Sequence, residues 1–264
     1  MSGSNWNDLG ERVMSGVVLV GVGMAGVWIG GLIFHLLVAL ICGVMVWELV
    51  SMLDDRRNRS ALLLGGFAGV VTFVAIEVPG GWALPLVLAP SMLGFGRMER
   101  GGVTYASFAA LILLAGYGMM ALRDEYGLVW MVWLVLVVVA TDIAGYFAGR
   151  SIGGPKFWPR VSPKKTWSGT VAGWIASALV GWIFVAMTGA GTGLIGLSIA
   201  VSMASQIGDM AESAIKRRAG VKDSSNLIPG HGGLFDRFDG MLGAALFILI
   251  AGQIVGFPPG VGGL

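Results

Sequence analysis

Long apolar runs separated by short polar segments make up most of this sequence. Within each run the apolar residues are continuous and do not alternate with polar ones, so we predict helices and not the strands of a closed barrel. Most runs have the roughly 17 to 25 residues that a helix needs to cross a hydrocarbon core. The run at 83–96 is shorter and contains Pro85 and Pro90, so we expect it to be bent or not to cross fully. The runs lie at 14–30, 32–53, 61–78, 83–96, 102–122, 128–148, 168–188, 192–210 and 240–257.

Composition supports the bilayer as the main solvent. Charged residues make up only 12% of the chain and hydrophobic residues 56%, whereas a soluble domain carries roughly a quarter charged residues. We therefore predict an all-α integral membrane protein, a polytopic helical bundle of about nine transmembrane helices.

The placement of Lys and Arg indicates an orientation. Of the 17 Lys and Arg residues, 16 lie in the segments 1–13, 54–60, 97–101, 149–167 and 211–239, and only Arg123 lies outside them. Since positive charge accumulates on the cytoplasmic side, we predict a multi-pass protein of the inner (plasma) membrane, N-in/C-out, with its chemistry facing the cytoplasm.

No internal repeat or linker divides the sequence, so we predict a single polytopic membrane domain over 1–264. In this prediction 1–127 is mainly scaffold. The catalytic half is 128–257, with the cytoplasmic loops 149–167 and 211–239.

Charged groups inside apolar spans are costly and usually mark function. Glu48 and Glu77 lie near predicted helix ends, and we interpret them as interfacial acids. In the second half, Asp142, Tyr146 and Arg150 are four residues apart and share one helix face. The eighth run carries a polar stripe that begins inside the predicted span, so we predict an internal polar cavity. The stripe consists of Ser202, Ser205, Asp209, Glu212, Ser213 and Lys216.

Two loops suggest phosphate chemistry. The segment 150–167 has five cations and no acid, and ends in Ser-Pro-Lys-Lys-Thr before the next helix, whose N-terminal N–H groups can add to a phosphate site. The segment 213–239 mixes cations, carboxylates and glycines, which is typical of a magnesium-phosphate site. Zinc is not expected, because His231 has no ligand partner at suitable spacing. A Ser213, His231 and Asp236 triad lacks the nucleophile-elbow context.

These residues carry a family resemblance. The segment 213–239 reads Ser-x-apolar-Lys-Arg, four residues, Lys-Asp, then Pro-x-His-Gly-Gly-x-x-Asp-Arg-x-Asp, and 142–150 reads Asp-x-x-Gly-Tyr-x-x-Gly-Arg. Together with Ser-Pro-Lys-Lys-Thr at 162–166, this pattern resembles the phosphatidate cytidylyltransferase (CDP-diglyceride synthase) family over roughly 142–240. The family usually has Glu where this chain has Ser168.

The resemblance implies the reaction of CTP with phosphatidic acid to give CDP-diacylglycerol and pyrophosphate. The lipid phosphate would be the nucleophile, and Mg²⁺, with a second divalent or monovalent ion allowed, would be the cofactor. The implied partners are CTP, phosphatidic acid and membrane lipid; a homodimer is allowed, and no nucleic acid is expected. The implied catalytic residues are Asp209, Asp236, Lys216, Arg237 and His231, and the implied metal ligands are Asp209, Asp236, Asp239 and Asp223. The implied substrate-binding residues are Lys164, Lys165, Thr166, Arg217, Lys222, Gly232, Gly233 and Ser213, with Asp142, Tyr146, Arg150 and Glu212 lining the cavity.

Two alternatives remain from the residues alone. A CTP-dependent transferase could act on another lipid phosphate, such as a polyprenyl or archaeal-type one. An ion or phosphate-ester transporter could use Asp142, Asp209 and Glu212 as a permeation path, although such transporters often show inverted repeats. The CDP-alcohol phosphatidyltransferases are disfavoured, because their Asp-Gly-x-x-Ala-Arg motif is missing.

Overall fold

A computed structural model describes residues 4–54, 58–98 and 101–260, and within these ranges the chain is almost entirely helical. The prediction of an all-α fold is confirmed except for one short hairpin. The elements are α1 (Ser4–Ile29), α2 (Gly31–Leu53), α3 (Asn58–Glu77), α4 (Gly80–Arg97), α5 (Gly102–Tyr126), α6 (Leu128–Ser151), β1 (Lys156–Trp158), β2 (Ser162–Thr166), α7 (Trp167–Thr188), α8 (Gly193–Arg218) and α9 (Phe235–Val255).

Seven helices of the described chain are long and apolar enough to cross a membrane, judged by length and composition. They are α2, α3 (from Arg59) and α5 to α9. The apolar part of α1, Val13–Ile29, is shorter, and α4 contains Pro85 and Pro90. The chain is therefore a membrane protein, as predicted, whereas the number of nine spans and the N-in orientation stay predictions.

The chain divides into two compact units. The first unit comprises Met1–Leu128 and Ile215–Phe238, and the second comprises Val129–Ala214 and Asp239–Leu264.

In the first unit, α2 packs closely against α3 because glycines face each other. A Cβ on Gly43 would lie 2.9 Å from the Gly65 carbonyl oxygen, so a larger residue would separate the helices. Met45 and Leu49 of α2 and Ile112 of α5 are fully buried. Small residues thus bring the backbones together and place α2 in the core of this unit.

The turn between α1 and α2 lies at Gly30, next to the boundary between the predicted runs 14–30 and 32–53. Gly30 has a φ of 70°, a conformation that glycine adopts without steric cost. Arg123 caps the last carbonyls of α1, because its Nε donates to Val27 O at 2.9 Å and its Nη2 to Trp28 O at 3.3 Å. This contact accounts for the one cation that lies outside the predicted cytoplasmic segments.

In the second unit, α6 contacts both α7 and α8. A Cβ on Gly145 would lie 3.3 Å from the Gly169 carbonyl oxygen, so α6 and α7 approach at these glycines. Thr141 Oγ1 donates to Ser202 Oγ at 2.7 Å, and Trp133 Nε1 donates to Ser198 Oγ at 3.0 Å. The polar residues of α8 therefore lie beside the face of α6 that carries Asp142.

The two predicted loops are more ordered and shorter than expected. In 149–167, α6 continues to Ser151 and an antiparallel pair forms, with Lys156 opposite Thr166 and Trp158 opposite Ser162. In 211–239 the non-helical part is only 219–234, because α8 continues to Arg218 and α9 already begins at Phe235. Hydropathy marks where apolar residues end, and a helix can continue beyond that point.

Candidate active site

A cavity of about 530 Å³ with several charged residues in its wall lies within the second unit. It brings together seven of the residues predicted from the sequence, and these come from α6, β2 and α8. These residues are Asp142, Tyr146, Arg150, Lys164, Lys165, Thr166 and Asp209, and the wall is completed by Thr141, Gly145, Gly149, Gly169, Thr170 and Gln206.

Lys164 and Lys165 lie at the end of β2, directly before the N-terminus of α7. Thr166 is the N-cap of α7, and its Oγ1 accepts from Gly169 N at 3.2 Å, which satisfies one N–H of the first turn. Ser168 hydrogen-bonds Thr166 Oγ1 at 3.0 Å and donates to Gly153 O at 2.5 Å. Ser168 stands where the family usually has Glu. Its two hydrogen bonds connect the start of α7 to Gly153, which precedes β1.

Charges of both signs line this cavity. Lys165 Nζ forms an ion pair with Asp209 Oδ2, and Ser213 Oγ donates to Asp209 Oδ1 at 3.3 Å. Asp142 and Asp239 are close enough to interact electrostatically with Asp209 and Lys165. Asp239 Oδ1 also accepts from Gly240 N at 2.6 Å.

The one cation of α6, Arg150, adds to this set. Arg150 Nη1 donates to Tyr146 Oη at 2.8 Å, one helical turn away. Three carboxylates thus gather beside Lys165 while Lys164 and Arg150 also line the cavity.

The donor set of this cavity fits a magnesium ion. Among the residues that the structure describes, no three His, Cys, Asp or Glu side chains form a ready metal cage. Mg²⁺ does not need one, because it usually binds one or two carboxylates, retained waters and substrate phosphates. Asp209, Asp142 and Asp239 offer carboxylate oxygens, which are the hard donors that Mg²⁺ prefers.

In the first unit, Asp236 organises the segment between α8 and α9. Its Oδ1 accepts from Lys216 Nζ at 2.6 Å. Its Oδ2 accepts from Ser224 N at 2.8 Å, Ser224 Oγ at 2.9 Å and Gly233 N at 2.8 Å. A carboxylate has about four lone-pair sites, so a cation at Asp236 would have to exchange with one of these donors, and Lys216 is the one that already supplies positive charge.

The glycine-rich turn at 230–233 packs against the carboxylate of Asp236. Gly232 has a φ of 80°, and a Cβ there would lie 2.7 Å from Asp236 Oδ2. His231 Nδ1 lies 2.8 Å from Ser15 Oγ of α1, and Ser15 Oγ donates to Pro229 O at 3.1 Å. A residue of the predicted scaffold thus holds the histidine of the turn.

The remaining predicted residues differ in exposure. Glu212 is buried on α8. Arg217 is exposed and donates to Val221 O at 3.3 Å. Lys222, Asp223 and Arg237 are exposed to solvent.

Glu48 is a site residue that the sequence analysis missed. Its interpretation as an interfacial acid is wrong, because the side chain is completely buried in α2. Its carboxylate accepts from Phe235 N at 2.7 Å, Leu234 N at 3.0 Å and Ser225 Oγ at 2.6 Å. A carboxylate within an apolar span was a signal, but no sequence pattern names a partner so distant in the chain.

Comparisons with known proteins identify the family of the chain. The chain is 37% identical to a phosphatidate cytidylyltransferase of Brucella suis over 264 residues, covering 96% of each chain. It is 33% identical to that of Staphylococcus saprophyticus, covering 88% of this chain and 94% of the relative. It is 29% identical to that of Bacillus subtilis, covering 89% and 94%. The model of the cytidylyltransferase family matches residues 10–255. The resemblance drawn from the two motifs is therefore confirmed over most of the chain, and the protein belongs to the cytidylyltransferase family.

Proposed function

We propose that this protein transfers the cytidylyl group of CTP to phosphatidic acid and forms CDP-diacylglycerol and pyrophosphate. The observation that carries the proposal is the cavity of the second unit, where Lys164, Lys165 and Arg150 stand beside Asp142 and Asp209. Relatives that match nearly their whole length are phosphatidate cytidylyltransferases, which supports the same substrates.

The reaction needs positive charge more than a base. A phosphate oxygen of the lipid attacks the α-phosphorus of CTP, a new P–O bond forms, and the bond from the α-phosphorus to the oxygen bridging to the β-phosphorus breaks. Pyrophosphate leaves with that oxygen. The attacking phosphate is already ionised near neutral pH, so no proton has to be removed, and the main barrier is the repulsion between two polyanions.

The cavity of the second unit supplies that positive charge. Lys164 and Lys165 would bind phosphate oxygens and stabilise the charge that develops on the transferring group and the leaving pyrophosphate. Arg150, held by Tyr146, adds a fixed guanidinium, which suits phosphate recognition. Thr166, as the cap of α7, keeps the two lysines in place.

In the first unit, the loop after α8 supplies further phosphate contacts. Arg217, Lys222 and Arg237 are exposed cations suited to substrate phosphates, and the ring of His231 is positioned by its hydrogen bond with Ser15. Gly232 and Gly233 pack against the carboxylates of Asp236 and Glu48, so these glycines shape the turn that carries His231. Lys216 and Asp236 fix this loop.

Magnesium is the cofactor that the carboxylates suit best. In the second unit, Asp209 would hold the ion, with Asp142 and Asp239 beside it. In the first unit, Asp236 would hold an ion if the ion replaced the ammonium of Lys216. The exposed Asp223 is a further candidate. When bound, a divalent ion neutralises phosphate charge and assists departure of pyrophosphate. A second ion, divalent or monovalent, is compatible with this number of carboxylates.

The distribution of Lys and Arg supports a cytoplasmic location for this chemistry. The chain would lie N-in/C-out in the plasma membrane, with CTP reaching it from the cytoplasm and the lipid from the bilayer. We also infer that the chain functions as a single polytopic unit, since both units contain signature residues.

A direct assay tests the proposal. Purified protein in detergent receives CTP labelled at its α-phosphate, phosphatidic acid and Mg²⁺, and label should enter CDP-diacylglycerol and disappear from lipid when EDTA is present. Asp209→Asn should abolish transfer, while Glu125→Gln on the exposed end of α5 should not. A parallel reaction with a polyprenyl phosphate distinguishes the other lipid acceptor. If no lipid receives label with any divalent ion, the protein is not such a transferase.

A further inference from the structure

Glu48 joins α2 to the loop after α8 by four contacts within the first unit. Oε2 accepts from Phe235 N at 2.7 Å and lies 3.4 Å from Ser224 Oγ, while Oε1 accepts from Leu234 N at 3.0 Å and Ser225 Oγ at 2.6 Å. The side chain is completely buried. A buried carboxylate is retained only where such donors offset its desolvation.

The carboxylate of Glu48 lies at the N-terminus of α9. Phe235 N is the first N–H group of that helix and Leu234 N comes directly before it, and the first N–H groups of a helix have no partner inside it. A negative charge at a helix N-terminus is also favoured by the helix dipole. Glu48 therefore sets where α9 begins, although it comes from a different helix.

Glu48 and Asp236 act on the same short stretch of backbone. Ser224 Oγ lies between the two carboxylates, at 3.4 Å from Glu48 and 2.9 Å from Asp236. A Cβ on Gly233 would overlap both Ser224 Oγ and Glu48 Oε1. The turn that carries His231 and Gly232 is thus held from one side by Asp236 and from the other by Glu48.

We propose that Glu48 is a positioning residue for the cytidylyl transfer: by holding Leu234 and Phe235 it fixes the turn at His231–Gly233 and the Lys216–Asp236 pair in their working geometry. The inference rests on the proposed function. It assigns to the N-terminal helices a part in the reaction beyond scaffolding, exerted through the loop and without contact to the reacting atoms.

Glu48→Gln is the informative substitution, because it keeps the size of the side chain. The amide keeps one acceptor oxygen, but its NH₂ group would face backbone N–H donors, and two donors cannot bond each other. We expect kcat to fall by about 10- to 100-fold, as for the loss of a hydrogen bond to a charged group. The KM for phosphatidic acid should change little, and tryptic cleavage at Arg217, Arg218 and Lys222 should accelerate several-fold.

Glu77→Gln is the matched control, because Glu77 is an exposed acid at the end of α3 in the same unit. It should leave kcat and the tryptic rate within twofold of wild type. Ser225→Ala removes one donor to Glu48 and keeps the carboxylate, so it should lower kcat by about threefold. Its effect should not add to that of Glu48→Gln, because the two residues share one contact.

Several outcomes would overturn the inference. They are a Glu48→Gln enzyme with wild-type kcat and tryptic rate, a Ser225→Ala enzyme with no change in either, or strictly additive effects. If Glu48→Gln does not fold, Ser225→Ala alone decides, by the same two measurements. The tryptic rate does not depend on turnover, so failure of the transferase assay for wild type would refute the proposed function while leaving the loop contact testable.

Discussion

Removing the charge of Lys165 should separate its role in catalysis from its role in stability. Lys165→Met keeps most of the aliphatic stem and deletes the ammonium that pairs with Asp209. The two side chains are 28% and 26% exposed, so the loss of the pair should cost about 1–2 kcal/mol, between the values for an exposed ion pair and a buried one. Asp209 also keeps its bond from Ser213. The expected loss in Tm is therefore about 2–8 °C.

The effect on turnover should be much larger. A preorganised group that stabilises charge only in the transition state typically contributes about 10²- to 10³-fold in kcat. We expect Lys165→Met to lower kcat by about that factor, since in the proposed reaction Lys165 is one of the cations that bind the transferring phosphate. The ratio of these two effects is the test, because a residue that only supports the fold would lower activity and Tm together.

The measurement combines label transfer from CTP to lipid in detergent micelles with thermal unfolding followed by tryptophan fluorescence. Lys156→Met is the control: Lys156 lies on β1 of the same hairpin segment and is exposed, and it does not line the cavity. The reasoning is refuted if Lys165→Met retains kcat within threefold of wild type, or if Lys156→Met is impaired equally.

Three further substitutions test other parts of the structure. Ser15→Ala removes the hydroxyl beside His231 and should lower kcat about fivefold, the value of one hydrogen bond, in the same transfer assay; wild-type kinetics would contradict a role for this contact. Gly169→Val should lower Tm, because overpacking against Gly145 should destabilise the second unit by about 1–3 kcal/mol. Gly196→Val is the control and should leave Tm unchanged, since a Cβ at Gly196 meets nothing within 4 Å. Arg123→Gln removes guanidinium contacts to the last carbonyls of α1 and should lower Tm by a few degrees with kcat unchanged; a tenfold loss of turnover would show that this end of the first unit affects the reaction.

The helices could be predicted from hydropathy because the bilayer demands continuous apolar segments. The predicted runs at 102–122, 128–148 and 168–188 each lie within an observed helix or differ from it by a few residues. The polar spacing of Asp142, Tyr146 and Arg150 also predicted a shared face, and all three line one cavity.

Hydropathy was less informative where helices leave the apolar zone. It ended the eighth run at 210, whereas α8 continues to Arg218 as a polar helix. It started the ninth at 240, although α9 begins at Phe235, where the carboxylate of Glu48 accepts from the first N–H groups. The hairpin at β1 and β2 carried no alternating pattern that would have predicted strands.

The contacts of Glu48 and Ser15 could not be predicted, because they depend on which distant segments meet. The sequence alone placed Glu48 near a helix end, where an interfacial acid is the usual explanation. Its partners Ser225, Leu234 and Phe235 are 177, 186 and 187 residues further along the chain. Only three-dimensional structure connects positions so far apart.

That separation has a consequence for biosynthesis. At roughly 5 to 20 residues per second, the ribosome completes α2 some 10 to 35 seconds before Phe235 is made. During that interval Glu48 is a carboxylate of an apolar helix whose donors do not yet exist, and leaving such a charge buried and unpaired would cost about 3–5 kcal/mol. The core of the first unit around α2 can therefore reach its final packing only after synthesis of the loop, so chains truncated before residue 224 should be preferred targets of membrane quality control.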